Sequence, residues 1–124
     1  MLKKIVAIAM LALPLAANAS QVILVNQTRH DMSYSIGGVC TKHVIHNQDS
    51  EFVAENELKT LCGTNTKNCL ISVFKNCNKG FKDFIAEISV DLNKGVKEAV
   101  MIEHRYTVTI NNSNNAVFIT KAIK

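Results

Sequence analysis

Short apolar runs, separated by turn residues, recur roughly every ten residues along the chain and predict β-strands over most of it. The clearest run is 84–92, in which apolar residues occupy every second position and mostly polar residues lie between them. Residues 69–76 carry apolar side chains on both faces, which favours a central strand. The segment 55–61, with two leucines three positions apart, predicts a single short helical turn.

This pattern predicts an all-β fold: a single-domain antiparallel β-sandwich, or a small barrel, of about eight strands with one short helical turn near 55–61. A strand at 22–25 is expected in a sheet interior and is followed by a predicted turn at Asn26-Gln27-Thr28. The last four strands are expected to form an antiparallel meander. The strands Met32–Ile36 and 116–123 are expected to be edges that could accept a further strand.

The N-terminus has the layout of an export signal. Two lysines precede the apolar run 5–17, and Ala17-Asn18-Ala19 is a small-x-small cleavage sequence. The run is shorter than the ~20 residues needed to span a bilayer. We therefore expect residues 1–19 to be a cleaved signal peptide and residues 20–124 to be a disulfide-braced β domain with no stable membrane insertion after cleavage.

The four cysteines are even in number and follow an export signal, so two disulfides are expected. If 69–77 is extended, Cys69 and Cys77 lie about 26 Å apart at ~3.3 Å per residue, whereas a disulfide needs Cα atoms within ~7 Å. Two pairings remain. Cys40–Cys77 with Cys62–Cys69 is preferred because the GTNTKN segment between the latter pair can turn back on itself. The alternative is Cys40–Cys69 with Cys62–Cys77.

The net charge of the chain does not change the predicted fold or point to a particular partner. The whole chain carries a net charge of +4, and without the two signal-peptide lysines 12 basic residues face 10 acidic ones. The mature domain is then only weakly basic, so no nucleic-acid partner is expected. Four nearby lysines favour a solvated edge over a polyanion-binding patch: Lys67, Lys75, Lys79 and Lys82.

The sequence contains no recognised catalytic motif, and the chain is predicted not to be an enzyme. His43 and His46 are three positions apart, which on a strand places them on opposite faces and prevents them from sharing a metal ion. Glu87, Asp91 and Glu103 alternate with apolar residues and are expected on solvent-facing strand surfaces. We expect no catalytic, metal-binding or cofactor-binding residue, and ordinary surface or turn positions for the histidines His30, His43, His46 and His104.

Five short segments of the chain recur together in a known layout: Val25-Asn26-Gln27-Thr28, Tyr34-Ser35-Ile36-Gly37-Gly38-Val39-Cys40, Leu61-Cys62, Asn68-Cys69 and Asn93-Lys94-Gly95-Val96. On these segments the chain resembles small exported, cysteine-containing β-sandwich proteins of intracellular Gram-negative bacteria, whose function is undefined. The resemblance implies export and a partner in the envelope or the host, and it supplies no site residues.

We therefore predict an exported, non-enzymatic binding protein, periplasmic or secreted, whose partner is an unknown protein or envelope component. One alternative is a periplasmic inhibitor or immunity protein that blocks a hydrolase, and another is a small hydrolase with an unrecognised site. The candidate binding loop lies between two cysteines and consists of Gly63, Thr64, Asn65, Thr66, Lys67 and Asn68.

Overall fold

Nine strands, one α-helix and one 3-10 helix make up the fold in the computed structural model, which describes residues 21–121. The predicted signal peptide, residues 1–19, lies outside the described residues. The elements are β1 Val22–Gln27, β2 Met32–Ile36, β3 Val39–Ile45, β4 Ser50–Val53, α1 Glu55–Cys62, β5 Cys69–Phe74, the 3-10 helix Cys77–Asp83, β6 Phe84–Asp91, β7 Gly95–Met101, β8 Tyr106–Asn111 and β9 Ala116–Lys121.

The strands form two sheets, with the orders β4-β1-β9-β8 and β3-β2-β5-β6-β7. Within the described residues the sheets do not close into a barrel, so the prediction of a β-sandwich is confirmed. The pairing of β1 with β9 is parallel, and the other pairings are antiparallel. The helix lies at the predicted place, and no helix within 21–121 is long and apolar enough to cross a membrane.

The core lies between the two sheets, and α1 contributes Leu58 to it, which is fully buried. Strand β5 is central, between β2 and β6, as its apolar side chains on both faces indicated. Its inward residues Ile71 and Val73 pair with Ile88 and Ala86 of β6. These cross-strand apolar pairs connect the middle of the five-stranded sheet to the core.

The prediction that β2 and the last strand are open edges is wrong. Strand β2 lies between β3 and β5, and β9 lies between β1 and β8, whereas the edges are β3, β4, β7 and β8. The alternation of β2 resembled that of a half-exposed strand because Ser33 and Ser35 are polar. In the structure both serines are buried, and Ser33 Oγ accepts a 2.7 Å hydrogen bond from the backbone N–H of Cys77.

The predicted meander of the last four strands is also wrong, because β6 and β7 belong to one sheet and β8 and β9 to the other. The chain crosses between the sheets directly after β7. The backbone N–H groups of Ile102 and Glu103 bond to the carbonyl of Ile85, and the N–H of Tyr106 bonds to the carbonyl of Glu103. This turn ends β7 at Met101 and directs β8 into the four-stranded sheet.

A buried asparagine joins the two sheets where β1 ends. The sequence predicted a turn at Asn26, but β1 continues to Gln27. The fully buried Asn26 side chain donates from Nδ2 to the carbonyls of His30 (2.8 Å) and Ile45 (2.7 Å), and its Oδ1 accepts bonds from Thr28 N (2.9 Å) and Thr28 Oγ1 (2.6 Å). Since Ile45 ends β3, this one amide connects a strand of the four-stranded sheet to the edge of the five-stranded sheet.

The two disulfides are Cys40–Cys77 and Cys62–Cys69, with Cα atoms 6.0 and 5.5 Å apart, and this is the pairing that the sequence favoured. Cys40–Cys77 joins the edge strand β3 to the 3-10 helix. Cys62–Cys69 joins the last residue of α1 to the first residue of β5. Each bridge therefore anchors a non-strand segment to the five-stranded sheet.

Removal of Cys40–Cys77 should destabilise the protein more than removal of Cys62–Cys69, because the residues that it joins are 37 rather than 7 positions apart. The chain-entropy estimates for the double serine variants are about 4 and about 2.5 kcal/mol of unfolding free energy. For a domain of this size, each kcal/mol lowers Tm by about 4–8 °C. Thermal unfolding with and without reductant tests this prediction. A decrease in Tm of less than a few degrees on reduction would contradict the stabilising role of the bridges.

Asn26→Asp should lower the free energy of unfolding by about 3 kcal/mol, because it removes two donated hydrogen bonds and buries a carboxylate against carbonyl oxygens. Urea denaturation measures the effect. Asn111→Asp is the matched control, since Asn111 is exposed and accepts its bonds through Oδ1, which aspartate retains. We expect this control to change stability by less than about 0.5 kcal/mol. Equal effects of the two substitutions would show that the buried network adds nothing.

Candidate binding surface

The 63–68 loop connects α1 to β5 at one end of the sandwich, and its six residues are exposed. The Cys62–Cys69 bridge closes the loop immediately on both sides. Gly63 ends α1 with a positive φ of 58°, a conformation that glycine adopts without strain, and its N–H bonds to the carbonyl of Lys59 at 3.0 Å. The local sequence therefore turns the chain out of the helix and into the loop.

Hydrogen bonds fix the rest of the loop against the β6–β7 hairpin. The carbonyl of Thr66 accepts a 2.8 Å bond from Leu92 N. Lys97 Nζ donates to the carbonyl of Lys67 at 3.1 Å and to Asn68 Oδ1 at 2.9 Å. Ser89 Oγ donates to the same Asn68 oxygen at 3.1 Å. An exposed loop is thus held by a covalent bridge and by contacts to a neighbouring hairpin.

A groove of about 420 Å³ adjoins the loop on the outer face of the five-stranded sheet, and we call it the loop groove. Apolar side chains in its lining include Leu61, Leu70 and Phe84. Leu70 is 38% exposed, which leaves apolar surface open to solvent. Polar side chains in the lining are Asn65, Asn68, Ser72 and Glu87. The groove therefore offers an apolar patch surrounded by hydrogen-bonding groups.

The tip of the β2–β3 hairpin forms one side of the loop groove. Gly37 has a φ of 60°, and a Cβ at this position would lie 2.5 Å from the carbonyl oxygen of Leu61. Only glycine allows the hairpin to approach the end of α1 this closely. The sequence placed a turn or kink at Gly37-Gly38 but gave no sign of its contact with α1.

Sequence reasoning missed Phe84 as a member of the surface. The alternation assigned Phe84 to the same face as Ala86 and Ile88, but an irregularity in the β5–β6 pairing shifts the register there. Phe84 pairs with Phe74, and their rings stack with centroids 5.1 Å apart. A bulge moves a side chain to the opposite face without breaking the apolar pattern, so the sequence alone carried little signal for it. The run of Phe84 and Ile85, two apolar residues in a row, was the available hint.

His43 lies in a polar cluster beside α1. Its ring stacks on Tyr34 with centroids 5.9 Å apart, and its two nitrogens lie 3.1 Å from Glu51 Oε2 and 3.2 Å from Glu57 Oε2. The Tyr34 hydroxyl donates to Glu51 at 3.0 Å. Burial, followed by the charge of Glu51, raises the pKa of Tyr34, so the phenol remains a donor. The cluster joins β2, β3, β4 and α1.

Two further histidines bind different partners. His30 Nε2 lies 2.7 Å from the hydroxyl of Tyr106, whose pKa is raised chiefly by burial. His46 Nδ1 lies 2.9 Å from Asp31 Oδ1, and this hydrogen bond raises the pKa of His46. His43 and His46 contact different carboxylates, so the structure does not bring them together. Within residues 21–121 no group of three or more His, Cys, Asp or Glu residues could hold a metal ion.

The three acidic residues that were expected on solvent-facing strand surfaces have different surroundings. Glu87 lines the loop groove. Asp91 is buried rather than solvent-facing, because its Oδ1 accepts a 2.8 Å bond from Asn93 N in the β6–β7 turn. Glu103 binds Arg105 at 2.9 Å, and this hydrogen bond lowers the pKa of Glu103. The expectation of a solvent-facing position is therefore wrong for Asp91, where the turn covers the side chain.

The imidazole pKa of His46 should lie above its ordinary value of 6.5 in the folded protein, and Asp31→Asn should lower it. Because the pKa is raised on folding, the pair stabilises the protein below the unfolded-state pKa, and that contribution disappears as pH rises through the folded-state pKa. NMR titration of the His46 ring protons measures the shift. Asp49→Asn is the control, since Asp49 contributes only a minor charge effect. If both variants lower the pKa equally, the Asp31 hydrogen bond is not the main cause.

Comparison with known proteins links this fold to a secretion pathway. The crystal structure of the Legionella pneumophila type II secretion system substrate NttC is similar with a TM-score of 0.63 and 18% sequence identity, covering 82% of this chain and 97% of that chain. At that identity the likeness concerns the fold. No curated protein gives a significant match. A family described as T2SS substrate NttC matches residues 1–122. Since this match extends over nearly the whole sequence, the chain belongs to the NttC family of type II secretion system substrates.

Proposed function

We propose that this exported protein is a non-enzymatic binding protein that recognises a protein partner through the 63–68 loop and the loop groove. Family membership supports export and secretion. In this proposal residues 1–19 direct the chain across the inner membrane, and the domain folds and forms its disulfides in the periplasm before secretion. An oxidising compartment of this kind is where disulfides form and persist.

The observation that carries the proposal is the combination of exposure and rigidity in the loop. Thr64, Asn65, Thr66 and Lys67 are exposed, although the loop is closed by a disulfide and bonded to the β6–β7 hairpin. Ordering a mobile loop on binding costs about 0.5–1.5 kcal/mol for each immobilised side chain. A loop that is ordered before binding avoids much of this cost.

The loop groove supports a protein partner in particular. Protein interfaces combine an apolar centre with a polar rim. Leu61, Leu70 and Phe84 supply apolar surface, and Asn65 and Glu87 lie among the polar lining. One apolar side chain of a partner could enter the groove while polar groups of the partner bond to the loop.

A non-enzymatic role is supported by what the reactive side chains already do. The four cysteines are paired in disulfides, so no thiolate is available as a nucleophile. His43 and His46 are each occupied by carboxylates. These groups contribute to the structure and are not gathered in the loop groove.

The alternative of a hydrolase inhibitor uses the same loop. A short loop closed by a disulfide and held by a hairpin keeps its shape when it enters a cleft, which is the property that an inhibitory loop needs. The two roles differ in the class of partner and not in the binding surface. Identification of the captured protein separates them.

Site-specific photocrosslinking tests the proposal. A photoreactive amino acid at Asn65 of the full chain, exported from its native host, should give a discrete covalent adduct with a protein. The control position is Thr109, which is exposed on β8 of the opposite sheet. Leu70→Asp should reduce the Asn65 adduct about tenfold, because it places a charge in the apolar part of the groove.

The same adducts from Asn65 and Thr109, or none from Asn65, would refute the proposed surface. Unchanged secretion and an unchanged Tm of each variant serve as controls for folding. Mass spectrometry of the adduct then distinguishes an inhibited hydrolase from another partner.

A further inference from the structure

A second, polar groove lies beside the Cys40–Cys77 bridge. Two adjoining concavities of about 570 and 740 Å³ share Asp31, Lys75 and Asn76 in their lining and therefore form one continuous depression. We call it the lysine groove. It contains Lys42 from β3 and Lys79 from the 3-10 helix in addition to Lys75, which directly follows β5.

The strand register places these lysines on separate walls. Ser33 of β2 lines the groove and pairs with Val44 on one side and with Phe74 on the other. Strand β2 lies between β3, which carries Lys42, and β5, which Lys75 follows, so the strands of the two lysines are roughly 10 Å apart at about 4.8 Å per strand spacing. The disulfide holds β3 and the 3-10 helix together across this space. The positive charges are thus distributed along the groove on a braced framework.

The lysine groove has unused hydrogen-bond donors. Within the described residues, none of the ammonium groups of Lys42, Lys75 and Lys79 forms an ion pair with a carboxylate. Asn76 uses its Oδ1 to accept a 3.0 Å bond from Asn78 N, which leaves its amide N–H groups for other partners. Such donors suit the oxygen atoms of a carboxylate or sulfate group.

Acidic residues do not cancel this charge. The lining contains Asp31 and Asp83, and Asp31 is bonded to His46 at 2.9 Å. Three lysines therefore face two carboxylates, one of which already has a partner. Lys67, which the sequence grouped with Lys75 and Lys79, precedes β5 and lies at the other end of that strand. The third lysine of the groove is instead Lys42, which is distant in sequence from Lys75 and Lys79.

We infer that the lysine groove binds a segment of an acidic polysaccharide, with carboxylate or sulfate groups repeated along its chain. An acidic peptide fits less well, because among the described lining residues Val44 is the one apolar side chain besides the disulfide. Nucleic acid is disfavoured because the described lining has no Phe, Tyr or Trp on which bases could stack.

This inference is independent of the proposed protein-binding function, since the two grooves have no lining residue in common. Calorimetric titration of the mature protein with a size-defined heparin oligosaccharide at low salt tests it. The oligosaccharide should bind, and the affinity should fall as salt increases. The variant Lys42→Gln/Lys75→Gln should lose about tenfold or more in affinity, because two charge-assisted hydrogen bonds are removed.

Matched controls make the result specific. Lys59→Gln/Lys94→Gln removes the same charge from exposed positions outside the lysine groove and should change affinity by less than about twofold. Asn78→Asp adds a negative charge to the lining without removing a lysine and should weaken binding as well. Circular dichroism of each variant confirms folding.

Three results would overturn the inference: no binding of the oligosaccharide, an equal loss in the control variant, or equal affinity for poly-glutamate or for an oligonucleotide of matched charge. Leu70→Asp should leave oligosaccharide binding intact, since Leu70 belongs to the loop groove. Loss of the Asn65 adduct with oligosaccharide binding retained, or the reverse, shows which of the two surfaces has failed.

Discussion

The disulfide between Cys40 and Cys77 holds the 3-10 helix against the five-stranded sheet. It connects the edge strand β3 to the 3-10 helix, and the backbone N–H of Cys77 bonds to Ser33 on β2. With this cover, β2 is buried along its whole length although its sequence alternates with serine. The same cover forms a wall of the lysine groove. One covalent bond thus hides part of the sheet and creates a polar depression beside it.

At the ends of the sandwich, asparagine side chains connect the two sheets by hydrogen bonds, whereas apolar contacts connect the sheets in the centre. Asn26 links β1 to the last residue of β3, and Asn115 links the four-stranded sheet to β7 through a 3.2 Å bond from Val96 N to its Oδ1. A Cβ at Gly95 would collide with the Asn115 amide, so glycine is required where the side chain enters the turn. The buried Asn26 amide uses both its donors and its acceptor, and it fixes the two sheets in one relative position because an alternative position would leave these groups unsatisfied.

Much of the fold could be predicted from local pattern, and the rest depended on contacts that no local pattern encodes. The alternation in β6 and the two apolar faces of β5 were sufficient to identify strands and a sandwich. The extended length of β5 excluded Cys69–Cys77 and left two pairings, of which the observed one was preferred because the GTNTKN segment can turn back on itself. The prediction that β2 is an edge strand was wrong because its alternating serines indicated an exposed face. Ser33 is in fact buried by a hydrogen bond from the backbone N–H of Cys77, 44 positions away, which no local pattern encodes. The meander was wrong because a short turn after β7 decides which sheet receives β8. For the site, the loop between two cysteines could be read from the sequence, but Phe84 and Lys42 could not, since a bulge and a strand register place them.

Both surfaces depend on bonds that form only outside the reducing cytoplasm. The 63–68 loop is closed by Cys62–Cys69, and the lysine groove is walled by Cys40–Cys77. Cytoplasmic thiols remain reduced, so neither surface has its bracing before export. If the two proposed surfaces bind their partners, their bracing by oxidation means that they take this shape after export and not before it. The two disulfides therefore couple export from the cytoplasm to the formation of both grooves.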